Sequence, residues 1–357
     1  MPSSPVSDAV AARIDAFLAR MRSAGGEYGP DAVLFLDAAA ATLAGGKRLR
    51  ARFCHAGWIA AAGSQDGSEA LWGLCAALEI FQSAALVHDD LIDNSDTRRG
   101  RPASHRALES AHRDAGWHGD AEAFGRSSAV LLGDLLVAWS DDLLEESLLG
   151  HPHAAAVRAE YARMRRDVTV GQMLDIAEES AWSVSDPGAL LERALRVASL
   201  KSARYSVVEP ILLGATLAGA DATLLASLRD FGHPVGMAFQ LRDDMLGVFG
   251  DPALTGKPTG DDLREGKRTA LIAIAREELS DADRERLDAA LGDRDLSDQA
   301  ISGLQELIRG TEAVERMERM ISGFTDDAER ALANAGIPGD AAEAMRALGA
   351  AAITRTA

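Results

Sequence analysis

The chain has 357 residues and a formal net charge of −18, with 47% hydrophobic residues but only 5% aromatic ones. Its acidic residues are spread along the whole length, so its field repels nucleic acid and anionic membrane surfaces and excludes both as partners. An apolar complement dominated by Ala and Leu favours helix over strand and predicts an all-α protein.

Met1 to Asp8 lack the basic and apolar regions of an export signal. Two cysteines without metal-binding spacing, Cys54 and Cys75, suit a reduced, cytoplasmic setting and buried packing. Helical periodicity predicts helices over Val10–Met21, Leu71–Asp93, Val130–Leu149, Ala154–Glu178, Leu190–Gly219, Ala222–Phe249 and from Leu271 onward. Pro30, Pro102, Pro152, Pro187, Pro252, Pro258 and Pro338 fall in the breaks, whereas Pro210 and Pro234 lie inside helical patterns and predict kinks. His112–Gly125, rich in Gly, His and Asp, reads as a loop insertion. The most apolar run, Val207–Ala220, is interrupted by Glu209 and Pro210 and is too short to span a bilayer, so no stable membrane insertion is expected. With no period-two stretch, no repeat and no shift in composition, one helical domain over residues 1–357 is expected.

The chemistry is carried by clusters along these helices. Gly45-Gly46-Lys47-Arg48-Leu49-Arg50 sets flexible backbone before three cations, suited to close approach to phosphate, but has neither Walker spacing nor a preceding strand. Asp89-Asp90-Leu91-Ile92-Asp93 ends an apolar helix, where carboxylates are costly unless compensated. Asp89 and Asp93 are one turn apart with Asp90 alongside. Such oxygen-only sets suit Mg²⁺ shared with substrate phosphates, and Arg98 and Arg99 just beyond can grip those phosphates bidentately. Taken alone, the motif also fits a solvated acidic helix end beside a basic loop. Gln172 and Asp175 stand three apart in an apolar turn, and Lys201-Ser202-Ala203-Arg204-Tyr205 puts Lys201 and Tyr205 on one face. A second acidic pair, in Phe239-Gln240-Leu241-Arg242-Asp243-Asp244, again ends an apolar helix and is again followed by cations, Lys257 and Lys267 among them. Two helices that each deliver carboxylates ahead of cations describe a site where metal ions bridge an anionic leaving group.

In this order and spacing the clusters resemble the trans-isoprenyl diphosphate synthases (polyprenyl synthetases), and among them the actinobacterial short-chain, geranylgeranyl diphosphate synthase-like branch. The resemblance covers a motif-bearing core of about residues 40–270, with C-terminal helices over 271–357. It implies a single-domain helical bundle around a deep central cavity, working as a homodimer. It further implies prenyltransferase activity: isopentenyl diphosphate condenses head to tail with an allylic diphosphate to give an all-trans product. Asp89, Asp90, Asp93, Asp243 and Asp244 would hold three Mg²⁺, supported by Gln172 and Asp175. Arg98, Lys201, Lys257 and Lys267 would contact the allylic diphosphate, and Lys47, Arg50, Gln82 and Arg99 the isopentenyl diphosphate. Gln82 lies two turns before Asp89, on its face. Ser202 and Gln240, with the Lys201 backbone and the Phe239 ring, would steady the developing cation. The chain departs from the pattern at Gly247, where the second motif reads DDxxG; Asp251, one turn on, is the substitute the sequence offers.

Below Asp89 the small Ala84 and Ala85 would let the growing tail pass, and Phe81 would form part of the floor, for a product near C20 with C15 and C25 as neighbours. Phe81 packing in the core, with the floor set elsewhere, is the competing expectation. Two other functions share some of these features. A class I terpene cyclase normally carries an Asn/Ser/Glu metal motif in place of the second Asp pair and has no use for Lys47, Arg50 and Gln82. A regulatory or partner subunit of a synthase has Gly247 in its favour and the intact first motif against it.

Overall fold

The computed structural model describes residues 5–251 and 259–354, and these are almost entirely helical. In chain order they form α1 (Pro5–Ala24), α2 (Pro30–Thr42), α3 (Leu49–Ala62), α4 (Glu69–Ile92), the two-residue strands β1 (Thr97–Arg98) and β2 (Arg101–Pro102), α5 (Ser104–Asp114), α6 (Ala121–Ser147) and α7 (Ala154–Ala181). Then come α8 (Leu190–Val197), a π-helical segment (Ala198–Val208), α9 (Glu209–Leu217) and α10 (Ala222–Phe249). The remainder is α11 (Asp261–Glu265), α12 (Ala270–Glu278), α13 (Asp281–Ala290), α14 (Asp298–Arg309), α15 (Ala313–Asn334) and α16 (Gly339–Ile353). Packing groups the chain into two compact units, one of residues 1–55 and 64–154, the other of residues 56–63 and 155–357.

In the first unit α4 is the central element. Ser68 caps it by accepting from the Leu71 N–H at 3.2 Å, and Leu71, Leu74, Leu78 and Ile80 are fully buried. At roughly 1.5–3 kcal/mol for each such side chain, this apolar face is what holds the helix in place. It runs antiparallel to α6: the Ser140 hydroxyl donates to the Ala77 carbonyl at 3.1 Å, and His88 Nε2 lies 3.1 Å from the Val130 carbonyl. α4 is long and apolar enough to cross a membrane by length and composition, yet 72% of its most apolar window is buried within the protein. Cys54 and Cys75 are free and buried; the Cys75 thiol donates to the Ala51 carbonyl at 3.5 Å, and burial followed by the adjacent Cys54 pushes it well up. The expected loop over His112–Gly125 is present but shorter: residues 115–120 connect α5 to α6, and the flanking residues on either side are helical. His112 packs on Trp117 and Phe124 (centroids 5.9 and 4.9 Å) and holds the end of α5, while Asp120 caps α6 by accepting from the Glu122 and Ala123 N–H groups at 3.0 and 3.1 Å.

In the second unit α10 lies against α15 and the π segment. Asp221 caps it through the Leu224 N–H at 2.8 Å, and Pro234 stands inside it without ending it. The single helix expected over Leu190–Gly219 is in three pieces. The Glu209 N–H reaches back five residues to the Arg204 carbonyl, and Pro210, which has no N–H to return to an α ladder, follows at the first turn of α9.

Candidate active site

At the end of α4 the helix delivers three aspartates into a turn that folds back on them. The Asp93 N–H closes the helix on the Asp89 carbonyl at 2.8 Å, and the Ser95 N–H takes the Asp90 carbonyl at 2.9 Å. Asp90 is only 3% exposed, which would be costly for a lone carboxylate. Arg98, from β1, compensates it: Nε donates to Asp90 Oδ1 at 2.7 Å, and Nη2 bonds both Asp90 Oδ1 and, at 3.4 Å, Asp89 Oδ2. On α4, Gln82 and Ala85 lie within about 40° of Asp89 by helical rotation, whereas Phe81 is about 80° and Ala84 about 140° away. Gln82 and Ala85 are half-buried; Phe81 and Ala84 are buried.

The same unit gathers cations over a carboxylate that the sequence does not single out. Glu79 is 6% exposed, accepts from the Ala51 N–H at 3.1 Å and lies 3.6 Å from Arg48 Nη1. Arg48 also donates to the Leu43 carbonyl at 2.6 Å. The Arg99 guanidinium lies over Gly46, where a Cβ would be 3.1 Å from Nη1. Burial pulls the Arg99 pKa down and Glu79 pushes it back, while Arg48, Arg98 and Arg50 pull it down further, so these cations are close enough to repel. Arg48 and Arg99 have φ of 49° and 55°, left-handed conformations that cost an ordinary side chain about 1–2 kcal/mol each. Held strain of this kind concentrates at functional sites. An arginine group over one buried counter-charge has positive charge to spare for an anion.

The second unit builds its own set. Lys201, on the π segment, forms a 2.6 Å ion pair with Asp175 of α7, with Gln172 one turn earlier on α7 and Ser202 half-buried beside Lys201. Two close backbone approaches fix this segment. A Cβ on Gly171 would sit 2.5 Å from the Lys201 nitrogen, and one on Gly236 would sit 2.6 Å from the Ala203 carbonyl oxygen. On α10, Gln240 donates to Asp244 Oδ1 at 2.6 Å; Asp243 is exposed and Asp244 buried. Burial raises the Asp244 pKa well above the carboxylate range; Asp262 adds to the rise, and so, more weakly, do Asp243 and Asp175, against the Gln240 hydrogen bond. Arg242 turns to α15, with two bonds of 2.6 and 2.8 Å to Glu318. Lys267 pairs with Glu265 at 3.0 Å, and Lys257 lies outside the described residues.

Asp251 lies past the end of α10, exposed, and it is Asp262 that covers the face of Gly247. Glu79 is passed over by motif reading, and Asp262, in the polar loop Asp261–Arg268 after the second acidic pair, is given no role by it. A Glu buried in an apolar run ahead of GGKRLR-type cations is a signal for the first. The second depends on how the chain returns to α10 and leaves no mark in local spacing.

Residues 33–308 match the family model described as Polyprenyl synthetase. A geranylgeranyl diphosphate synthase of Mycobacterium tuberculosis is 34% identical over 249 residues, 69% of this chain and 63% of that protein. The heptaprenyl diphosphate synthase component 2 of Geobacillus stearothermophilus is 33% identical over 310 residues, 86% of this chain and 84% of that one. The crystal structure of a geranylgeranyl pyrophosphate synthase from Corynebacterium glutamicum, complexed with isoprenyl diphosphate and magnesium, superposes with a TM-score of 0.90 at 39% identity over 98% of each chain. The chain belongs to the polyprenyl synthetase family, has its all-α fold, and is a prenyltransferase.

Proposed function

We propose that the protein condenses isopentenyl diphosphate head to tail with an allylic diphosphate, in a Mg²⁺-dependent reaction, to give an all-trans prenyl diphosphate near C20. The observation that carries this is that the acidic sets come already paired with cations: Arg98 on Asp89 and Asp90 in one unit, Lys201 on Asp175 in the other. Diphosphate with its metal carries both charges of such pairs and can exchange with them.

The donor chemistry fits Mg²⁺. Asp89, Asp90, Asp93, Asp243 and Asp244 offer carboxylate oxygens only, and buried Asp244 lies in a field of like charge that a cation would relieve. Among the described residues no three His, Cys, Asp or Glu side chains form a ready-made metal cluster. An ion that keeps several waters and takes the rest of its shell from substrate phosphate needs none. When bound, Mg²⁺, three ions in the proposed full site, would supply the positive charge that makes diphosphate a good leaving group.

The protein's own groups do the rest. Arg98, Lys201, Lys257 and Lys267 hold the allylic diphosphate, while Lys47, Arg50, Gln82 and Arg99 hold isopentenyl diphosphate, with Gln172 and Asp175 behind the metal-binding set. Gln240, Ser202, the Lys201 backbone and the Phe239 ring face the allylic cation as it forms. The new bond joins that carbon to the isopentenyl double bond, and the proton lost passes to the departing diphosphate. Water must be kept out, because a trapped cation ends as an alcohol. Phe81 sets part of the floor of the tail pocket. Names among the relatives run from farnesyl through geranylgeranyl and geranylfarnesyl diphosphate synthase to a component of a heptaprenyl diphosphate synthase, so product length rests on the tail pocket of this chain. Action as one domain, homodimeric and cytoplasmic, belongs to the same proposal.

The test is incubation of the purified protein with Mg²⁺, isopentenyl diphosphate and C5, C10 or C15 allylic starters, with dephosphorylated products sized by chromatography. A chelator-sensitive series ending near C20 is expected. Diphosphate release without isopentenyl diphosphate would replace the synthase with a cyclase, which nothing among the relatives supports; silence with every starter would leave a partner subunit.

A further inference from the structure

Along α7, Arg163, Asp167, Gly171 and Asp175 follow one another at a spacing of four, and each bears on the stretch from Lys201 to Glu209. The last two hold Lys201, by its ammonium and by its backbone. The first two reach the far end of the π segment. Arg204 Nη2 lies 2.8 Å from Asp167 Oδ2, and Arg163 Nη2 donates to Glu209 Oε2 at 2.8 Å as well as to Glu160. Glu209 is only 1% exposed, and its other oxygen, Oε1, lies 3.6 Å from Arg204 Nε. A carboxylate buried between two arginines is expensive to keep unless the pairing does something. The proposed chemistry uses Lys201 and Ser202 and leaves Glu209 without a task.

Spacing supplies the task. Arg204 and Glu209 are five residues apart, and in an α-helix such side chains stand about 140° apart around the axis. The π ladder brings them to one side, and the same two residues make its closing bond, the Glu209 N–H on the Arg204 carbonyl. The ion pair therefore belongs to one backbone register and is lost in the other. A π run of 11 residues is rare, because each turn gives up the better α geometry, so it needs contacts that the α form lacks. Pro210 has no N–H to donate, but it does not choose which carbonyl the Glu209 N–H takes. A slip of one residue would turn the backbone by about 100° and carry Lys201 and Ser202 to another side of the helix.

We propose that Glu209 is a positioning residue for prenyl transfer: paired with Arg204, it locks the π register and so fixes the Lys201 backbone and the Ser202 hydroxyl that face the allylic cation. Asp167 ties the locked arginine to α7. This rests on the proposed condensation. Glu209 touches no substrate, so its loss falls on the reaction of bound substrates and spares their binding.

The test pairs steady-state kinetics with amide hydrogen exchange on the full-length protein, with folding checked by circular dichroism. Glu209→Gln, which keeps the shape, is expected to lower kcat about 10- to 100-fold with both KM values changed less than about threefold. Its amides over 201–209 are expected to exchange at least about tenfold faster, with those of α6 and α15 unchanged. Arg204→Met should give the same losses, and the two changes together no more than either alone. Arg163→Met added to Glu209→Gln separates the register from mere charge balance: it should restore melting temperature, since no arginine is then left unpaired there, but neither kcat nor slow exchange. Wild-type kcat and exchange in Glu209→Gln, or recovery of both with Arg163→Met, would overturn the proposal. A wild-type protein that elongates no starter would sink the proposed function, while the exchange comparison, which needs no turnover, would still decide whether Glu209 holds the register.

Discussion

Alanine at Gly171 puts one methyl group between α7 and the π segment. Its Cβ would lie 2.5 Å from the Lys201 nitrogen and 2.8 Å from both the Leu200 carbonyl carbon and the Lys201 Cα, where ordinary contact begins at 3.4 Å. All three are backbone atoms, so no rotamer change relieves the overlap, and the segment must shift by about 0.5–0.9 Å to restore an ordinary contact. Overpacking of this kind costs about 1–3 kcal/mol, and a displacement of about 1 Å in a catalytic group costs on the order of 100-fold in rate. Gly171→Ala is therefore expected to unfold at lower temperature and to lose about two orders of magnitude in kcat, with KM for isopentenyl diphosphate little changed. Steady-state kinetics with each substrate varied, beside a thermal melt, separate the two effects. Gly323→Ala is the control: nothing lies within 4 Å of that position in α15, so about 0.5–1 kcal/mol of added stability and unaltered kinetics are expected. A Gly171→Ala protein with wild-type kcat would refute the view that this contact sets the position of Lys201.

Three further outcomes are expected. Glu79→Gln keeps an acceptor for the Ala51 N–H but removes the charge beneath Arg48 and Arg99, so it should cost about 3 kcal/mol in urea unfolding, part of it recovered on adding inorganic diphosphate; no loss would remove Glu79 as counter-charge. Glu160, raised to about 7 by burial and by Glu209, holds its proton more tightly folded than unfolded, so stability is present below pH 4.5 and falls as pH rises to 7. Glu160→Gln should abolish the fall; parallel stability–pH curves for the two proteins would refute the assignment. Phe81→Ala should lengthen the product by at least one C5 unit on the chromatogram, and an unchanged distribution would place the floor elsewhere.

The helical character was legible because Ala and Leu set the propensity and the 3.6 periodicity is strong through α4, α7 and α10. The acidic ends of α4 and α10 were legible for a related reason: carboxylates closing an apolar run violate the local pattern and so stand out. The π segment was not, because Leu190–Gly219 keeps its apolar character throughout; what changes is the backbone ladder, and the neighbours that approach it closely, Gly171 and Gly236, lie on other helices. The loop expected over His112–Gly125 is narrowed to residues 115–120, where the rings of His112, Trp117 and Phe124 pack the connection against the ends of α5 and α6. Asp251 is the substitute for Gly247 by sequence distance; Asp262, fifteen positions on, is brought there only by the turn into α11.

The two cysteines of α3 and α4 have a use that has nothing to do with catalysis. They are the only thiols in the chain, both are fully buried, and Cys75 is held in its unreactive form by its surroundings. A thiol reagent can reach them only when the first unit opens around α4. The labelling rate of the unmodified protein thus clocks that opening, and its slowing on addition of each diphosphate would show how far a ligand stiffens the helix that carries Asp89.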